Sequence, residues 1–376
     1  MKRPLLTLLL TCLAGHWLFA PPASAAEAKA TFKVPIDSAR AAVPAADAVA
    51  FARAIAPMVV GRTLSAAERT KVESGGAVAL RTLLESWVEE PGFAEMARDL
   101  FSVRLKTSGT TSALDGTMPG NLAAYLVKNH RPHAELVTAE KCRSATGEAI
   151  ACGSGAPFEA GVLTTRVFLA NNAYRFNLKR ARTVLQAFAC SEYPLSQELQ
   201  PSLEKSVLLE MFQNDLTPEN DPFGNGAACY TCHSQFGAHA QAFVKFDADG
   251  RWQTGATGLQ AEGGEMGRST NNTFASHMSD PADAKSEATQ FFGKKVANLA
   301  EAAKALSENS IYLDCAVRST MGYVLALSDS EANELPDLVV TEIVSEAKAR
   351  EPQPTFARLV VETFSHPSVV SARRTP

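Results

Sequence analysis

Cys229-Tyr230-Thr231-Cys232-His233 is the stretch of this chain whose residue types and spacing could do chemistry. It reads C-x-x-C-H, the attachment pattern of a c-type haem. Two thiols three positions apart on one helical turn can each add to a porphyrin vinyl group. The next imidazole then falls beneath the iron as its proximal ligand. Three plainer readings compete. The cysteines are half of a zinc site, but no second C-x-x-C or finger-spaced His pair follows. They are a thioredoxin-like couple, but no βαβ pattern surrounds them. Or they are structural cysteines with His233 on a surface turn. Haem is the reading taken, with Cys229 and Cys232 as anchors and His233 on the iron.

The sixth iron position decides what such a haem does. A filled low-spin site carries electrons, and an open one binds peroxide or oxygen. Candidates beyond the motif are Met266, Met278, Met321, His239 and His277. His239 follows His233 too closely to reach the opposite haem face, and Met321 lies in an apolar run where it reads as core filler. Met278 or Met266, in a Gly-rich stretch that can fold over the haem, is the distal reading, with His277 and an open site as alternatives. His130, His133 and His366 are isolated and read as surface residues. No catalytic triad, nucleophile elbow or phosphate-cradling glycine loop is present.

The surroundings of the motif agree with export. Met1-Lys2-Arg3 is a basic start, residues 5–20 are apolar, and Pro21-Pro22-Ala23-Ser24-Ala25 ends in small residues, which makes 1–25 a signal peptide. Cys12 sits in a poor lipoprotein box, since Thr11 is bulky and apolar residues continue past it. No later run approaches the roughly 18 apolar residues of a membrane span. A periplasmic or secreted protein is expected, without a transmembrane segment after leader removal. The net charge of −4 and the lack of a basic stripe argue against nucleic acid.

Of seven cysteines, Cys12 falls in the leader and two go to haem, leaving Cys142, Cys152, Cys190 and Cys315. In an oxidising compartment four cysteines predict two bridges. Cys142 with Cys152 closes a small loop and is the easiest pair. Cys190 and Cys315 each end a helix-like run and are the plausible second. Buried unpaired thiols are the alternative.

The elements that must position these residues are helical. The fold expected is mostly α, in two helical halves, the second carrying the covalent haem. Residues 26–45 read as a flexible N-terminal segment, 46–153 as an N-terminal helical domain and 154–376 as the haem-binding helical domain. Helical spacing starts near Asp47. Ser65 and Glu68 form a capping box, Gly75-Gly76 breaks that helix, and Leu80, Leu83, Leu84, Trp87 and Val88 stripe the next until Pro91. Residues 93–105, 122–129, 178–188 and 203–212 follow as helices, with 107–120 and 214–227 as loops. Lys179, Arg180 and Arg182 interleave the apolar positions of 178–188. Residues 247–283 are Gly-rich and without period, a length that is unusual unless functional. Residues 296–306, 338–347 and 356–364 are helical again. Ser328 with Glu331 repeats the early cap, as convergent helix-hairpin grammar. A short ribbon is the most that residues 34–36 or the stretch near Phe243 can supply.

With the motif, helices and leader in view, the chain resembles the uncharacterised secreted proteins described under planctomycete-type cytochrome c domains. Residues 161–170, the helix ending at Cys190 with Pro194, the motif followed by Phe246-Asp247-Ala248-Asp249-Gly250-Arg251-Trp252, and residues 313–325 and 356–373 carry the likeness. Asn129-His130-Arg131-Pro132-His133-Ala134-Glu135-Leu136 adds to it. Where family members have Asp-Pro-x-Gly after the haem histidine, this chain has Ser234-Gln235-Phe236-Gly237. The resemblance implies a haem-binding fold, one haem c, and no distal ligand or established activity. An exported single-haem electron carrier to or from a larger redox partner is the expectation. A haem enzyme with open iron, of peroxidase or oxidase type, is one rival. A structural or surface-binding protein stapled by haem is the other. A bare carrier needs only about a hundred residues, so the surplus favours docking or catalysis.

Overall fold

The computed structural model describes residues 31–35, 43–108, 114–173, 177–193, 235, 238–254 and 286–375. These residues are mostly helical. Local signals fix most of the helix ends. In α2 (Ala66–Trp87) Ser65 Oγ accepts from Glu68 N at 3.2 Å while Ser65 N donates to Glu68 Oε2 at 2.8 Å, satisfying two free helix-start groups. The same box recurs at Ser328 and Glu331. Gly76 interrupts α2 with φ 57° and ψ −137°, a conformation open to glycine, so the expected break is a kink. α1 (Ala45–Val59) packs against α2 and buries Ala48, Ala52, Ile55 and Val59. α3 (Pro91–Arg104) starts on the proline that ends the preceding stripe. α4 (Met118–Lys128) begins a turn earlier than its apolar pattern shows, because Pro119 is tolerated in a first turn.

After the short α5 (Glu135–Thr138), strands β2 (Cys142–Arg143) and β3 (Ala149–Ile150) pair antiparallel, following β1 (Thr31–Lys33) in chain order. α6 (Arg166–Asn171) and α7 (Leu178–Phe188) precede the C-x-x-C-H segment in the chain. Beyond it come the hairpin of β4 (Thr289–Phe291) and β5 (Lys294–Val296), then α8 (Leu299–Ser307), α9 (Ser310–Val324) and α10 (Asp329–Asn333). α11 (Asp337–Arg350), α12 (Phe356–Ser365), α13 (Pro367–Val370) and β6 (Arg373–Thr375) close the chain. β6 pairs antiparallel with β1, Thr31 opposite Thr375, and ties the two ends together.

The apolar core is continuous from Val34 to Val370 and crosses the 153/154 boundary without a gap. α12 packs on α2, α4, α9 and α11. Phe93 stacks on Phe356 with centroids 5.9 Å apart, and Phe51 meets Phe364 at 6.1 Å. His133, expected on the surface, lies instead within this core, 5.1 Å from the Tyr312 ring and 5.4 Å from Phe356. Burial pushes its imidazole down to about 3, so it is neutral. His366 is buried as well, 3.4 Å from Glu342. Both were misplaced by sequence because the aromatic and helical partners that cover them come from distant segments. Met321 is a core residue of α9. Among the described residues no helix is long and apolar enough to cross a membrane.

Candidate functional site

Cys229, Cys232 and His233, together with Met266, His277, Met278 and the leader, lie outside the described residues. The motif's nearest described neighbours are Gln235 and residues 238–254. They run through the interior: His239, Ala240, Ala242, Phe243, Val244 and Phe246 are fully buried. Residues 238–241 form a helical turn held to the β4 strand and its approach. Thr289 Oγ1 donates to Ala238 O at 2.5 Å, and the Gln241 amide donates to the Ser286 carbonyl.

His239 sits in a box of aromatic rings. Phe291 is 4.5 Å from its centroid, Phe292 5.7 Å and Tyr193 5.9 Å. The Tyr193 hydroxyl is 2.8 Å from Nδ1, while Nε2 is buried with no partner among the described residues. Burial drives the ring's pKa to about 3, so the imidazole is neutral in this apolar wall. An orphaned buried nitrogen is uncommon in folded proteins and marks a place where a bonding group is expected.

The segment after this wall is pinned by an arginine that the sequence shows only as interleaved with apolar positions. Arg180 is fully buried. Its Nε donates to Leu169 O at 2.8 Å, Nη1 to Phe246 O at 2.8 Å and Asn177 Oδ1 at 2.6 Å, and Nη2 to Asp247 O at 2.5 Å. Burial pushes this guanidinium down to about 9, against the opposing pull of Asp247. A planar fork with five donors suits four converging oxygens, which an ammonium does not. Interleaving with apolar residues was the only signal for it.

Phe246-Asp247-Ala248-Asp249-Gly250-Arg251-Trp252 forms a tight loop closed by an antiparallel Phe246–Trp252 bridge. The Asp247 carboxylate accepts from Arg251 N and Gln253 Nε2, both at 2.8 Å. Gly250 has φ 74°, and a Cβ there would stand 2.6 Å from Arg166 O, so the loop tip lies directly on α6. The Asp247 carboxylate therefore serves loop geometry. Among the described residues no group of three or more His, Cys, Asp or Glu could hold a metal ion.

Two pairs of cysteines are joined: Cys142–Cys152 with Cα atoms 5.0 Å apart, and Cys190–Cys315 at 5.1 Å. Cys190 lies just past α7, but Cys315 falls within α9 and not at its end. A buried, largely aromatic wall thus stands six positions beyond His233 in the chain, and its apolar lining would suit a porphyrin edge. The chain matches no family model, no curated protein and no solved structure.

Proposed function

We propose that the protein is an exported, single-haem c-type cytochrome-like protein that passes electrons to or from a larger redox partner. Cys229 and Cys232 are the thioether anchors and His233 the proximal ligand, with Met278 or Met266 as distal ligand. The observation that carries this reading is the cysteine inventory. With Cys142–Cys152 and Cys190–Cys315 joined, the C-x-x-C-H pair holds the only cysteines left beyond the leader. The two disulfides support an oxidising compartment, where haem c is attached. The resemblance to planctomycete-type cytochrome c proteins points the same way. Co-expression with a c-type maturation system should yield one haem that acid-acetone does not extract. A pyridine haemochrome without covalent haem overturns the proposal.

A second reading, a haem enzyme with an open iron, rests on the bulk of the chain, since a bare carrier needs only about a hundred residues. A low-spin ferric spectrum with the near-infrared band of a sulfur–iron bond, lost on Met278→Ala or Met266→Ala, supports the carrier. A high-spin protein that binds carbon monoxide and is indifferent to both substitutions supports the enzyme.

A further inference from the structure

The Cys190–Cys315 disulfide is built unlike a simple staple. It borders two clefts, one of about 620 Å³ reaching toward Tyr323 and Asp329, the other of about 400 Å³ toward Asp314 and Asp337. Cys190 is half-buried and lines both, while Cys315 is 1% exposed and lines only the second. The Arg104 guanidinium reaches in from α3. Its Nη2 donates to the Gln186 carbonyl and stands 3.8 Å from Cys190 Sγ and 3.9 Å from Cys315 Sγ. Nε donates to Ala187 O at 3.4 Å. Among the described residues Arg104's only carboxylate neighbour is Asp329, 3.8 Å from Nη1 and itself almost fully exposed. Ser319 Oγ lies 3.5 Å from one sulfur and 3.6 Å from the other. Cys190 also adopts a left-handed backbone, φ 46°, at the helix end where glycine is favoured.

A disulfide carries no charge for a guanidinium to balance; the thiolate made when it opens does. A cation and a hydroxyl held against both sulfurs stabilise that product, and lowering the leaving thiol's pKa speeds its departure. We propose that Cys190–Cys315 is a thiol–disulfide exchange site for a dithiol entering the cleft, with Arg104 as the positioning residue that sets its reactivity. A thiolate of the dithiol attacks the accessible Cys190 Sγ. The S–S bond breaks, and Cys315 Sγ leaves as a thiolate beside Arg104 and Ser319. The dithiol's second thiol, once deprotonated, attacks the mixed disulfide and releases Cys190. The dithiol becomes a disulfide, two electrons pass to the protein, and its two thiol protons end on Cys190 and Cys315. The covalent loop from 190 to 315, which contains the C-x-x-C-H motif, is thereby opened and closed reversibly.

The test is equilibration of the full chain in dithiothreitol redox buffers, followed by alkylation and peptide mapping. Cys190–Cys315 should open at a lower dithiol ratio than Cys142–Cys152. Arg104→Gln should require about tenfold more reductant at Cys190–Cys315, about 30 mV for this two-electron couple, with Arg104→Lys between and Cys142–Cys152 unmoved. Joint opening of both bridges, or an Arg104→Gln protein with an unshifted Cys190–Cys315, overturns the proposal. Should that variant not fold, the wild-type protein decides. Once reduced, its Cys315 should alkylate with a thiolate profile centred below the ordinary thiol pKa of about 8.5, and a profile at or above that value refutes the role given to Arg104.

Discussion

Cys142–Cys152 and Cys190–Cys315 place the same bond in opposite surroundings. The first spans 10 positions, is buried at both ends, and closes a hairpin whose strands already pair Cys142 with Ile150. The second spans 125 positions, joins the end of α7 to the middle of α9, and meets a guanidinium and two clefts. The contrast separates two properties of a bridge. Loop length governs how far it constrains the unfolded chain. Nearby charge and access govern how readily it exchanges. Here the bridge with the greater thermodynamic weight is also the one with the reactive setting.

Removing each bridge in turn is the strongest way to break that comparison. Loop-closure entropy gives about 5 kcal/mol for Cys190–Cys315 and about 3 kcal/mol for Cys142–Cys152. Urea unfolding of Cys190→Ala/Cys315→Ala and of Cys142→Ala/Cys152→Ala should show that order, and equal losses would remove the distinction. Arg180→Met tests whether α7, which delivers Cys190, is held by its buried fork or by the bridge. The substitution strands three carbonyls and an amide oxygen. It should cost about 3 kcal/mol or more with both disulfides intact, and Arg180→Lys should restore little. A near-neutral Arg180→Met would assign α7's position to the bridge alone.

Acid sharpens the comparison further, because both strongly depressed histidines adjoin the Cys190–Cys315 side. Tyr312, against His133, shares α9 with Cys315, and Tyr193, against His239, follows Cys190 by three residues. Each folded imidazole titrates near 3 and each unfolded one near 6.5. Between those values the unfolded chain holds more protons, so stability is complete above about pH 6.5 and falls as pH drops toward 3. The slope should be about 1.4 kcal/mol per pH unit for each histidine. Urea midpoints at pH 7 and pH 5 measure it, and His133→Phe should remove one histidine's share. The smallest effect belongs to Tyr193→Phe, which deletes one hydrogen bond to His239 and should cost about 1 kcal/mol without moving either disulfide's reduction.

How much of this was legible beforehand depends on the distance over which each feature is decided. The capping boxes at Ser65 and Ser328 and the spans of α7 and α12 follow from residues three or four positions apart. Cysteine arithmetic predicted two bridges and nearness in the chain paired Cys142 with Cys152, while the expected Cys190–Cys315 pair formed although Cys315 lies within α9 and not at a helix end. Gly76's kink was visible as a glycine pair, although the chain resumes its helix beyond it.

Tertiary structure alone decided which polar residues lose water. Arg180 looked like one more basic residue on a striped helix until carbonyls from residues 169, 246 and 247 converged on it. His133 and His366 looked isolated because Tyr312, Phe356 and Glu342 are remote in the chain. The placement of Arg104 against a bridge between residues 190 and 315, and of His239 among Tyr193, Phe291 and Phe292, has no local signature. Sequence by itself determined most of the helices and their capping boxes, because hydrogen bonds and side-chain periodicity within a turn are local. Desolvation and charge proximity depend on whatever the fold brings opposite, and only the packed chain supplies that.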